Sequence, residues 1–118
     1  MPSQEIFLKL ESDGKHIEVV KTYDSAFAKE AFAEMNDDAK AFLGKSLIED
    51  GVLEASELPF SDDDLWQGVE EGAREDWNSF SYFVVREEGS ERRDLFVSSN
   101  WPVAERFAKL GNSALLEV

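Results

Sequence analysis

Apolar and polar positions change period several times along this chain, and each change marks an element. Residues 4–10 place Ile6, Leu8 and Leu10 on one face, which predicts a strand. Asp13-Gly14 is a strong hairpin signal, so the Ile- and Val-rich residues 16–22 predict the return strand. The period then becomes helical. Phe27, Ala28, Ala31, Phe32 and Met35 predict a helix from 26 to about 35, capped by Asp24 or Ser25. Asn36-Asp37-Asp38 is cap material for a second helix. That helix runs to about Glu49, buries Ala39, Phe42, Leu43 and Leu47, and stops at Asp50-Gly51 with the glycine left-handed. Residues 52–60, with Pro59, read as a loop.

Ser61 opens a third helix whose apolar stripe is Leu65, Trp66, Val69, Ala73 and Trp77. Gly68 and Gly72 inside it cost roughly 1 kcal/mol each relative to Ala. Residues 80–86 form the clearest strand pattern, Glu88-Gly89-Ser90 turns it, and residues 93–98 return. Asn100-Trp101-Pro102 starts a last helix that ends at Gly111-Asn112, and residues 114–118 offer an additional closing strand. The order ββααα-ββαβ lacks alternating βα units. It predicts a single α+β domain over residues 1–118, with an antiparallel sheet built from two β-hairpins and about four helices packed on one face. A shift of 75 residues lays the first hairpin-plus-helix on the second, with Gly14 on Gly89 and Phe32 on Phe107. Two such units share the same physics, so the echo alone does not establish a duplication.

Composition supports a packed core. Nine Phe, three Trp and two Tyr in 118 residues supply the apolar mass that disordered chains lack. The absence of cysteine excludes disulfides and thiolate chemistry and agrees with a cytoplasmic location. The N-terminus has no basic region followed by an apolar run, which argues against a signal peptide, and no stretch approaches the ~18 apolar residues of a membrane span.

Charge changes the picture most. The chain carries −14, and between Glu49 and Asp76 eleven acids face one base, Arg74, which puts −10 of that charge in one stretch. Such a chain is repelled by nucleic-acid phosphate and by anionic lipid, and it attracts basic surfaces. Catalytic signals are weak beside this. His16, the one histidine, sits in a strand with no assignable partner. Gly44-Lys45-Ser46 resembles the tail of a phosphate-binding loop, but position 39 is Ala where a Gly is needed. Asp62-Asp63-Asp64 fails the calcium-loop spacing, because Gln67 and Ala73 occupy the sixth and twelfth positions. Ser61 with Asp64 fits a helix capping box instead. Arg92 and Arg93 are the pair best placed to grip an anion, although Glu87, Glu88 and Glu91 lie beside them.

These residues point to a non-catalytic binding protein with no cofactor and no metal. Its acidic zone would dock a basic surface of another protein, in the manner of an inhibitor, immunity protein, antitoxin or DNA mimic. The expected partner-binding residues are Asp62, Asp63, Asp64, Glu70, Glu71, Glu75 and Asp76, with Trp66 as the apolar anchor. A second reading is a structural or regulatory subunit that binds through an apolar or sheet surface, with the acid serving solubility. A third is an enzyme or small-ligand domain built on carboxylates, Tyr23, Tyr82 or the two arginines.

Overall fold

A computed structural model describes residues 4–12, 14–76, 81–89 and 91–110. Two strands open the chain, β1 (Gln4–Ser12) and β2 (Lys15–Thr22). Three helices follow, α1 (Ser25–Ala33), α2 (Asp37–Glu49) and α3 (Asp62–Asp76), with a 3-10 turn over Ala55–Glu57 between the last two. Strands β3 (Tyr82–Glu88) and β4 (Arg93–Ser98) and helix α4 (Trp101–Leu110) complete the order. The four strands form one antiparallel sheet in the order β1-β2-β3-β4. The radius of gyration, 13.4 Å, is that of a single domain of this length. The expected closing strand at 114–118 lies outside the described residues.

Local chemistry sets the element ends. Lys15 pairs with Ser12, and Gly14 adopts φ +76° in the turn between them. Asp24 Oδ1 accepts hydrogen bonds from the amides of Ala26 (3.0 Å) and Phe27 (3.3 Å) and caps α1. Asn36 Oδ1 accepts from the Ala39 amide at 2.7 Å and caps α2. Gly51, at φ +76°, ends α2 in the left-handed conformation that an L side chain resists.

Helices cover both sides of the sheet, which corrects the one-face expectation. Side chains alternate along β3, so Tyr82, Val84 and Arg86 point to one side and Phe83 and Val85 to the other. On the first side Trp66 of α3 stacks on Tyr82, with centroids 5.7 Å apart, and Phe27 of α1 lies 5.3 Å from the Arg86 guanidinium. On the second side Trp101 of α4 meets Phe83 at 5.3 Å. Phe107 of α4 stacks there on Phe96, the cross-strand partner of Val85, at 4.4 Å. The physical reason is the unbroken apolar run Tyr-Phe-Val-Val at 82–85. A strand facing solvent on one side would alternate, whereas this one is buried at every position from Tyr82 to Arg86. The two hairpin-plus-helix units are therefore not built alike, because α1 and α4 pack on opposite faces.

Candidate functional site

Helix α3 carries most of the predicted acidic residues, and its first turn is organised by the capping box. Ser61 Oγ accepts from the Asp64 amide at 3.1 Å, while Asp64 Oδ2 accepts from the Ser61 amide at 3.2 Å. Helices α2 and α3 lie side by side and run in the same direction. Lys40 Nζ donates to Asp62 Oδ2 at 3.1 Å, Gly44 faces Leu65, and Leu47 faces Gly68. Glycine lets the two helices approach this closely. A Cβ at Gly68 would stand 2.8 Å from Leu47 Cδ1, and one at Gly44 would stand 3.2 Å from the Phe60 ring. Gly44-Lys45-Ser46 is thus helix interior shaped by packing, with Gly44 and Ser46 buried.

The parallel arrangement brings two helix N-termini to one end of the molecule. Asp37 and Asp38 open α2, Asp62, Asp63 and Asp64 open α3, and all five are exposed. Their charge complements the positive ends of both helix dipoles. Between α2 and the chain that leads into α3 runs a groove of about 630 Å³. Its floor is apolar, formed by Ala41, Ile48, Leu58, Pro59, Phe60 and Leu65. Leu58 is 56% exposed, the most exposed large apolar side chain among the described residues. Acids Asp37, Glu49 and Asp62 stand on the rim with Lys40 and Lys45, and Lys40 is engaged by Asp62.

The eight residues expected to bind a partner separate under this geometry. Asp62, Asp63, Asp64 and Glu71 are exposed, and Glu70 is half-buried near Tyr82. Burial first, and then the Glu70 carboxylate, raise the Tyr82 hydroxyl above its ordinary pKa, with Arg74 opposing. Glu75 and Asp76 lie on the last turn of α3, and their side chains fall outside the described set, as does Trp77. Trp66 is not an exposed anchor. It is 8% exposed, stacks on Tyr82 and meets Phe32 at 5.7 Å. Position 66 falls on the same helical stripe as Leu65, Val69 and Ala73, and that stripe faces the core.

Two sets of residues were missed by sequence reasoning. Asp37 and Asp38 read only as cap material, and the parallel packing that sets them beside Asp62 has no sequence signature. Leu58-Pro59-Phe60 did carry a signal, since it is an apolar triplet without strand or helix period in an acidic loop. Elsewhere the chemistry is sparse. His16 Nδ1 lies 3.2 Å from Glu11 on the sheet surface, with both side chains exposed. Arg92 lies 5.7 Å from the Phe27 ring. A polar cleft of about 200 Å³ includes Asp50 and Asn100, and Asn100 Nδ2 donates to Asp50 Oδ2 at 3.3 Å. Among the described residues no three His, Asp or Glu side chains group to hold a metal ion, and no helix is long and apolar enough to cross a membrane.

No protein-family model, no curated protein and no solved structure matches this chain.

Proposed function

We propose that this protein binds a basic segment of another protein through the groove between α2 and Leu58-Pro59-Phe60. The observation that carries this reading is the junction of an open apolar floor with five exposed aspartates at the paired helix N-termini. An apolar side chain of the partner would fill the space over Ile48 and Leu58. Lys or Arg residues beside it would meet Asp37, Asp38, Asp62 and Asp63. Apolar contact supplies affinity in such an arrangement, while the charges set association rate and selectivity. Asp62, Asp63 and Asp64 keep their place in the electrostatic surface, and Leu58 takes the anchoring role expected of Trp66. Masking of a nucleic-acid-binding or nuclease surface is the function class most compatible with this charge.

Capture from lysate on the immobilised protein at about 50 and 500 mM salt, where the Debye length shrinks severalfold, tests the reading. The expected result is a basic protein held at low salt, shed at high salt, and lost with both Leu58→Asp and Asp37→Asn/Asp38→Asn/Asp63→Asn. Capture unchanged by salt and by both variants, each shown to be folded, refutes it.

A further inference from the structure

The outer edge of β1, unpaired among the described residues, is not used by the groove and carries a separate inference. Among the described residues β1 pairs only with β2, so its nine residues leave one row of backbone donors and acceptors open. Two large apolar side chains stand on that edge, Ile6 at 52% and Phe7 at 47% exposure. A bulge explains their placement. Ile6 pairs with Val20 and Leu8 with Val19, so the two lie on opposite faces, and the extra residue Phe7 packs against Phe83 and Trp101 on the Leu8 side. An edge that is apolar on both faces is a template for another strand.

We propose that the protein forms a twofold dimer in which β1 pairs antiparallel with β1 of a second copy, making one eight-stranded sheet. Charge selects a second copy as the occupant. Residues 4–22 hold Lys9, Lys15 and Lys21 against Glu5, Glu11, Asp13 and Glu18, a net −1 in a chain of −14. Two copies meet here without acid facing acid, whereas approach through the ends of α2 and α3 is repulsive.

The register follows from the bulge. A twofold axis normal to the sheet requires paired residues to share a face. Cross-strand partners put Glu5, Phe7, Leu8 and Leu10 on one face and Gln4, Ile6, Lys9 and Glu11 on the other. An axis between Phe7 and Leu8 matches every face. It sets Phe7 opposite Leu8, Ile6 opposite Lys9, Glu5 opposite Leu10 and Gln4 opposite Glu11, with no like charges opposed. An axis on Phe7 sets Ile6 against Leu8 across opposite faces, and an axis on Leu8 opposes Glu5 to Glu11.

Sedimentation equilibrium of the full chain, wild type against Ile6→Lys and Ile6→Lys/Lys9→Glu, tests the dimer and its register together. The first variant places Lys opposite the second copy's Lys9, and the second restores opposite charges. The expected result is a wild-type dimer, a dissociation constant raised about tenfold or more by Ile6→Lys, and recovery in the double variant. Amide exchange of β1 in the wild type, slowing as protein concentration rises, reports the same contact without any substitution. A wild-type monomer at millimolar concentration, a dimer indifferent to Ile6→Lys, or a charge swap without recovery overturns the proposal.

Discussion

Arg86 and Asp94 show what a single residue pair asks of this fold. Arg86 is 5% exposed on β3, and its Nε and Nη2 make no hydrogen bond. Asp94 Oδ1, opposite on β4, stands 3.8 Å from Arg86 Nε, and Glu88 Oε1 stands 3.8 Å from Nη1. Burial first, and then nearby Arg92, lower the Arg86 pKa, while Asp94, Glu88 and Glu18 oppose the shift. A buried guanidinium with only long-range compensation depends on its counter-charge. Asp94→Asn is expected to cost about 3 kcal/mol, whereas Arg86→Met/Asp94→Leu recovers most of that loss, as read by denaturant unfolding. Tyr82 makes a separate prediction in alkali. Its folded pKa is raised, so its contribution is fully present below the unfolded value of 10.0 and is lost as pH climbs from there through the folded value. Tyr82→Phe should flatten the alkaline limb of a stability-against-pH curve.

At the level of elements, α3 has poor helix interior at two positions and yet is well placed. Gly68 is the reason it can approach α2. Gly68→Ala gains about 1 kcal/mol of helix propensity but forces Cβ onto buried Leu47, where overpacking costs about 1–3 kcal/mol. The expected sign is net destabilisation, and a rise in melting temperature would show that α2 and α3 can separate at little cost. The elements themselves were largely legible in the sequence. The capping box at Ser61, the stop at Gly51 and β4 at residues 93–98 all lie where the pattern placed them, because caps, left-handed glycines and hairpin returns are local in sequence. Helix placement was not legible in that way. The run at 82–85 marked β3 as buried on both sides, and that signal outweighs the simpler picture of a sheet with one wet face. For the candidate site, the acids of α3 were visible, whereas their meeting with Asp37 and Asp38 depends on a helix pairing that no local pattern encodes. Trp66 was misplaced for the opposite reason: its helical spacing pointed to the core, and the adjacent aspartates drew attention away from it.

For the whole molecule, charge and shape act together. A net charge of −14 repels itself in the folded state, where the acids are held closer than in the open chain. Melting temperature is therefore expected to rise with added salt, and a flat response would mean that local ion pairs such as Lys40–Asp62 already offset the repulsion. The sheet also has two unlike sides. Helix α2 stands beside β4, where its Phe42 meets Phe96, while β1 closes the sheet at the other end. Two copies joined at β1 would carry their grooves beyond the far ends of eight strands, farther apart than the roughly 33 Å that seven strand spacings put between the two β4 strands. One protomer then offers a single foothold, whereas the pair is bivalent. A partner with two basic segments at that separation would be held by avidity well beyond the strength of either groove, and a partner with one segment would not.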